Sequence, residues 1–228
     1  MKNYANKKAG VGRLKLLESK LFTGLEEDVI KDIVRVANPV ARHFQRGDTL
    51  WHEGDVVDGI GLLESGTLFC QRYHSDGKLQ LVRLFVPNDV LNVEAAVSRR
   101  RTSPTSVVAP SAGSYLWFPN AGLLDNPAIP AEAMRTMHVN LLAYLADDAI
   151  RFIKKSDILS RRTVRDRVKM YLNVLREQHG DEVDIGMTQE ELAQFLCVDR
   201  SSLSEELNKM RRDGLIDFQR KRFKLFFD

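Results

Sequence analysis

The polar residues with the most informative spacing lie near the C-terminus. Thr188 and Glu191 stand three positions apart, as in a capping box where each side chain answers the other's backbone N–H, so a short helix begins there. Leu192, Phe195 and Leu196 give it an apolar face, and Ala193 is small enough for a second helix to cross closely. After Cys197 and Val198, Asp199 is placed to cap a helix running from Arg200 to about Arg212, with Leu203, Leu207 and Met210 facing inward. Arg200, Ser201, Ser204, Glu205, Asn208, Lys209 and Arg212 are left outward. Guanidinium, hydroxyl and carboxylate groups along one helical edge can donate to and accept from base edges in a major groove. The pattern reads as a helix-turn-helix.

Asp213-Gly214 stops the second helix. Leu215 to Phe218 followed by Phe223 to Phe227 reads as a hairpin with Gln219, Arg220, Lys221 and Arg222 at its tip. Such a cationic wing suits phosphates, where each contact releases condensed counterions and makes binding salt-dependent. Upstream, Arg161, Arg162, Arg165, Arg167 and Lys169 crowd one helix start whose apolar face is Val164, Val168, Tyr171, Leu172 and Leu175. Ser160 is expected to cap that helix, and a domain boundary is expected near Lys155 to Ser160. The charge run is either a solvated face or an addition to the nucleic-acid surface.

These elements need a frame. Pro130 suits the first turn of a helix, and neither Pro nor Gly recurs before Gly180. Within that stretch His138, Leu142, Leu145, Ala149, Phe152, Ser156 and Leu159 alternate spacings of four and three, the stripe of a two-helix seam between copies of the chain. The alternative is that this stripe packs on the protein's own sheet. From Val40 to Phe118, short apolar runs are separated by turn residues: Arg46-Gly47-Asp48, Glu53-Gly54-Asp55, Ser65-Gly66, Ser75-Asp76-Gly77 and Pro87-Asn88-Asp89. Many short strands follow, hence a β-barrel or jelly roll. Asp76-Gly77 reads as a two-residue hairpin turn with Tyr73 and Leu79 on the paired strands. Residues 13–37 read as helical through Leu14, Leu17, Leu21, Leu25, Val29, Ile33 and Val36, with a break near Thr23 and Gly24.

Composition narrows the chemistry. The chain has 228 residues with 43% hydrophobic and 29% charged, ordinary values for one or two globular domains. A formal net charge of +3 permits an anionic partner without requiring one. No apolar run approaches the ~20 residues of a membrane helix, and Lys2, Lys7 and Lys8 have no apolar signal core behind them, so a cytoplasmic protein is expected. Cys70 and Cys197 alone cannot build a disulfide framework, a Cys-based zinc site or a four-cysteine iron–sulfur cluster. His43, His52, His74, His138 and His179 lack the paired spacing of a cupin metal centre, and no nucleophile motif or phosphate-cradling Gly-rich loop appears. No catalysis, metal or cofactor is expected.

From about Leu21 onward the chain resembles transcription regulators of the Crp/Fnr superfamily. The most specific likeness is Thr188-Gln189-Glu190-Glu191-Leu192-Ala193, then Arg200-Ser201-Ser202-Leu203-Ser204, then Gly214-Leu215-Ile216, which together resemble the family's winged helix-turn-helix. Phe44-Gln45-Arg46-Gly47-Asp48, Glu53-Gly54-Asp55 and Glu64-Ser65-Gly66-Thr67-Leu68 resemble its cyclic-nucleotide-binding-type β-roll. The resemblance implies an α+β fold: an effector-sensing β-roll (jelly roll) with flanking helices over 13–128, a dimerisation helix over 129–158, and a winged helix-turn-helix over 159–228. It also implies a homodimer, a palindromic double-stranded DNA operator, a small-molecule effector and, in an activator, RNA polymerase as a partner.

By this likeness Arg200, Ser201, Ser204 and Glu205 read bases, while Thr188, Gln189, Lys209, Arg220, Lys221 and Arg222 hold phosphates and Ser202 completes the DNA-binding set. Glu205 stands where the family often has Arg, so base preference does not carry over. Cys197 stands where Gly is common, which implies a turn that avoids positive φ. The effector set is Asn92, Glu94, Arg101, Ser103, Thr105 and Tyr144. Members that bind cyclic nucleotide carry Gly-Glu-Leu and then Arg-Ser or Arg-Thr; here Asn92-Val93-Glu94-Ala95 and Ser103-Pro104 stand in those places. Arg99, Arg100, Arg101 and Thr102 lie just upstream and could supply a displaced cation. The effector is therefore read as something other than a cyclic nucleotide, with a cyclic-nucleotide-dependent regulator or a haem-based gas or redox sensor as alternatives.

Overall fold

The computed structural model describes Leu16 and residues 18–227; Leu14 and Leu17 of the expected first helix lie outside the described residues. The chain divides into two compact units. One holds the described residues through Arg72 together with Val82–Asp147, and the other holds Tyr73–Leu81 with the chain from Asp148 onward.

In the first unit, a single 3-10 turn, Lys20–Phe22, is capped by Ser19, whose hydroxyl accepts from Leu21 N. The expected break at Thr23-Gly24 follows, and helix α1 spans Glu27–Ala37 with Ile30, Ile33 and Ala37 buried. Eight strands come next, the end of β4 and the start of β5 falling in the segment Tyr73–Leu81 of the second unit: β1 Val40–Phe44, β2 Thr49–Trp51, β3 Gly59–Ser65, β4 Leu68–Tyr73, β5 Leu79–Phe85, β6 Val90–Leu91, β7 Ser106–Val108 and β8 Gly113–Pro119. They form two four-stranded sheets, ordered β1-β8-β3-β6 and β2-β7-β4-β5, whose paired registers run antiparallel. Alternation drives inward side chains from both sheets into one core. Leu62, Leu63, Leu68 and Phe85 are buried there, and Trp51 packs on Tyr115 and Trp117 with ring centroids 5.7 and 5.5 Å away. Gly113 is required by close approach, since a Cβ there would lie 2.1 Å from the Ser65 carbonyl oxygen and 2.5 Å from the Phe44 ring.

The β4–β5 turn is one residue longer than expected. His74 N donates to the Lys78 carbonyl at 2.9 Å, leaving Ser75-Asp76-Gly77 as the loop, with Gly77 at φ 78°. A three-residue hairpin of this kind ends in a left-handed residue that glycine takes without steric cost.

Helices α2 (Val93–Val97) and α3 (Asn120–Leu123) are short, and α4 runs from Ala131 to Ser160. Pro130 stands just ahead of α4 and its carbonyl accepts from Met134 N. Ala133, Met137, Leu141 and Tyr144 join the core of the first unit. The expected seam lies on other faces: Leu142 is 66% and Phe152 46% exposed, and Val139, Ile150 and Ile153 are exposed beside them. The alternative in which the stripe packs on the chain's own fold holds only for Leu145, half-buried against the first unit's core, while Leu142, Ala149, Phe152 and Ser156 are exposed.

In the second unit, Ser160 does not cap the next helix. It closes α4, its hydroxyl donating to the Asp157 carbonyl, and Thr163 caps α5 (Val164–His179) by accepting from Asp166 N. The expected position was early by three residues because Arg161 and Arg162 continue a helix-compatible pattern across the break. Then come β9 (Glu182–Asp184), α6 (Gln189–Leu196), α7 (Arg200–Arg212), β10 (Ile216–Gln219) and β11 (Arg222–Leu225). The wing is a three-stranded sheet ordered β10-β11-β9. The β9 strand was not foreseen, since three residues are too few to show an alternation.

Candidate nucleic-acid interface

Helix α6 starts as its sequence dictates. Thr188 Oγ1 accepts from Glu191 N at 3.3 Å, and Thr188 N donates to Glu191 Oε2 at 2.6 Å. Together these satisfy two of the orphan donors at the helix start. Leu192, Ala193 and Leu196 are buried, and Phe195 packs on Tyr171 of α5 at 5.2 Å between ring centroids. Burial pushes the Tyr171 phenol above its ordinary range, so it stays neutral.

The turn into α7 corrects one expectation. Cys197 has φ 53° and ψ 50°, in the left-handed region, and Val198 N donates back to the Ala193 carbonyl at 3.0 Å. Ending a helix this way requires a left-handed residue, and a non-glycine there costs about 1–2 kcal/mol. Cys197 is exposed, and its thiol accepts from Gln80 Nε2 at 3.3 Å.

Helix α7 separates its faces cleanly. Leu203, Leu207 and Met210 are fully buried, while Arg200, Ser201, Ser202, Glu205, Asn208 and Lys209 are exposed and Ser204 is half-buried. Asp199 occupies the N-cap position without a side-chain cap bond, and lies 3.9 Å from Lys78. Arg200 Nε stands 3.5 Å from Glu190 Oε2. That exposed pair is worth little in water and can be exchanged for contacts to a duplex. Gly214, at φ 72°, follows the last turn.

At the wing, Gln219 pairs with Arg222, so the tip is Arg220-Lys221, with Arg220 at φ 56°. Lys221 Nζ donates to the Gly186 carbonyl at 2.8 Å, and Arg222 Nε lies 4.0 Å from Asp184. Thr188 is exposed and Gln189 half-buried at the start of α6. The residues expected to meet DNA lie on α6, α7 and the wing, with Gln189 and Ser204 half-buried and the Lys221 ammonium engaged by the Gly186 carbonyl.

The charge run on α5 proves to be divided. Arg165 donates from Nε to Glu206 Oε1 at 2.5 Å and from Nη2 to Asp213 Oδ2 at 2.7 Å, a fork that ties α5 to the middle and end of α7. Glu206 first and Asp213 second raise the Arg165 pKa further above neutrality. Arg167 donates only to backbone carbonyls, those of Arg161, Leu196 and Cys197, among its described hydrogen bonds. Arg161 and Arg162 are exposed. Sequence reasoning missed the two tying roles because Glu206, Asp213 and the carbonyls of Leu196 and Cys197 lie far along the chain.

The expected effector residues are scattered in role. Asn92 is buried in the left-handed region ahead of α2, and its Nδ2 has no partner. Ser103 is buried and its hydroxyl donates to the Thr105 carbonyl at 2.8 Å. Tyr144 OH donates to the Val90 carbonyl at 2.9 Å and accepts from Val90 N and Arg83 Nη2. Arg101 is exposed at φ 49°, while Glu94 is half-buried on α2. Arg101 also lines a cleft of about 740 Å³ with Val97, Asn120, His138, Leu141 and Leu145; the other five do not line it.

Comparison with known proteins meets this geometry at both units. Residues 166–226 match the Crp-like helix-turn-helix domain, and residues 41–125 match the cyclic nucleotide-binding domain. The chain belongs to the Crp/Fnr superfamily of transcription regulators. This Crp/Fnr regulator is 26% identical to the transcriptional activator protein FnrL of Cereibacter sphaeroides, over 82% of its own length and 76% of the relative's. It is 24% identical to a CRP-like cAMP-activated global transcriptional regulator of Mycobacterium tuberculosis, over 90% and 92% of the two chains. Among solved structures, the c-di-GMP-responsive global regulator CLP of Xanthomonas campestris aligns with a TM-score of 0.71 at 16% identity, covering 89% of this chain and all of that one. FixK2 of Bradyrhizobium japonicum aligns at 0.67 and 16% identity, over 83% and 93%. These relatives are regulators of transcription rather than enzymes, and the Crp/Fnr family implies DNA as a partner. No helix among the described residues is long and apolar enough to cross a membrane.

Proposed function

We propose that this Crp/Fnr regulator acts as a homodimer on a palindromic operator, its two copies of α7 entering successive major grooves with half-site centres about 34 Å apart. The observation that carries this reading is α7 itself, with exposed Arg200, Ser201 and Glu205 along one edge over the buried row Leu203, Leu207 and Met210. Arg200, Ser201, Ser204 and Glu205 read bases; Thr188, Gln189, Ser202, Lys209, Arg220, Lys221 and Arg222 hold the backbone. The exposed Leu142, Ile150, Phe152 and Ile153 on α4 support a partner helix as their cover, because so long an apolar stripe is costly in water. On this reading the working divisions are 13–128 for sensing, 129–158 for dimerisation and 159–228 for DNA. The protein works in the cytoplasm and meets RNA polymerase if it activates.

An effector in the β-roll shifts the population of the DNA-competent arrangement. Asn92, Glu94, Arg101, Ser103, Thr105 and Tyr144 are the proposed contacts, and the unpartnered amide of Asn92 is a donor for such a ligand. Ser103 stands where cyclic-nucleotide binders place Arg, and its hydroxyl already serves Thr105, which supports an effector of another kind. Calorimetry with cyclic AMP and cyclic GMP tests this point, and tight binding of either reverses it.

Selection from a randomised duplex library at low ionic strength tests the whole. Enrichment of a palindrome is expected, and recovery of only non-palindromic or random sequence removes the proposal. Phe152→Glu places a charge in the seam, so sedimentation should find monomers; an unchanged dimer refutes the seam.

A further inference from the structure

Arg167 carries a cation into the segment beside the recognition helix, where a phosphate contact is the obvious use for it. Its guanidinium is instead spent on the fold. Nε donates to the Arg161 carbonyl at 2.9 Å, and Nη1 donates to the carbonyls of Leu196 at 3.0 Å and Cys197 at 3.2 Å. Leu196 and Cys197 end α6, where helix carbonyls lack intrahelical partners and the dipole is negative, so a cation is favoured there. Cys197 is also the residue held in the left-handed region, and its conformation sets the angle at which α7 leaves α6. Arg161 belongs to the connector between α4 and α5.

From this geometry we infer that Arg167 is a positioning residue for DNA recognition: it pins the α6–α7 turn to the α4–α5 connector and thereby fixes the aim of α7, without itself holding a phosphate. A planar guanidinium can span acceptors lying in two directions, whereas an ammonium is a point donor on a flexible stem. Arg165 complements the pin at the other end of α7 through Glu206 and Asp213. The inference goes beyond the list of DNA-contacting residues and rests on the operator-binding reading only for its first measurement.

The experiment compares the full-length wild type with Arg167→Lys and Arg167→Ala. Affinity is measured across a salt series, for a duplex selected by the wild type and for an unrelated duplex. Both variants should lose about tenfold or more on the selected duplex and less than about threefold on the unrelated one, with an unchanged slope of log affinity against log salt. A phosphate-contacting Arg167 behaves otherwise: Arg167→Lys stays within about twofold of wild type, and Arg167→Ala weakens both duplexes alike with a slope smaller by about one. Either of those results overturns the inference. Should Arg167→Ala fail to fold, Arg167→Lys decides alone. Hydrogen exchange without DNA gives a second reading that survives failure of the operator proposal. The amides of 197–200 should exchange several-fold faster in Arg167→Lys while those of the wing stay unchanged, and equal rates at 197–200 overturn the pin.

Discussion

On α7, Arg200, Ser201, Ser202, Glu205 and Lys209 are exposed over a buried row of Leu203, Leu207 and Met210, whereas in the β-roll Asn92, Ser103, Thr105 and Tyr144 are each no more than 7% exposed. The first group keeps most of its donors outside the fold's own hydrogen bonds. Much of the second is consumed by them: Ser103 serves Thr105, and Tyr144 serves Val90. A surface that meets a duplex must leave polar atoms for the partner, so truncating such a residue changes recognition while stability holds. A residue inside the roll answers to packing first, and its loss is felt in stability before any ligand is added.

The sharpest break in this contrast comes from Leu203→Ala, which removes a fully buried side chain under the recognition edge and should cost about 2–5 kcal/mol. Trp51 and Trp117 both lie in the first unit, so tryptophan fluorescence reports that unit alone. Circular dichroism should show an early helical loss while the fluorescence transition stays in place; a common shift of both probes would mean that the units unfold as one. Tyr144→Phe should next lower the fluorescence midpoint, through a loss of about 1–3 kcal/mol in the first unit's stability, because the Val90 carbonyl and N–H lose their partner. An unchanged midpoint would free Tyr144 from the structural role and strengthen its assignment to the effector.

On the exposed side, Arg200→Ala should leave both midpoints alone and remove about 1–3 kcal/mol of discrimination between matched and mismatched operators. Retained discrimination would move base reading elsewhere on α7. The smallest change is expected from Arg220→Ala, which should weaken every duplex alike and reduce the salt slope by about one. A sequence-dependent loss there would make the wing a reader rather than a backbone contact.

The same contrast explains what could be read before the structure. Thr188 and Glu191 act within one helical turn, and Leu203, Leu207 and Met210 repeat at helical spacing, so both are local patterns that a sequence displays. The turn residues from Gly47 to Gly77 likewise announce short strands. Arg165 and Arg167 looked alike in a basic run because their acceptors, Glu206, Asp213 and the carbonyls of Leu196 and Cys197, are brought in by tertiary packing. Cys197 misled for a related reason: the turn demands a left-handed residue, and the Arg167 bonds help hold a side chain there that propensity disfavours. In the β-roll, Asn92, Ser103 and Tyr144 come from three separate stretches of chain, and nothing in their spacing says which polar atoms the fold uses.

The turn between α6 and α7 also offers a practical handle. Of the chain's two cysteines, Cys70 is buried and Cys197 is exposed, so a maleimide dye or nitroxide should attach at one position without any engineered substitution. The reporter would sit immediately before the recognition helix, turning the native thiol into a spectroscopic gauge of that helix's surroundings as operator or effector is titrated.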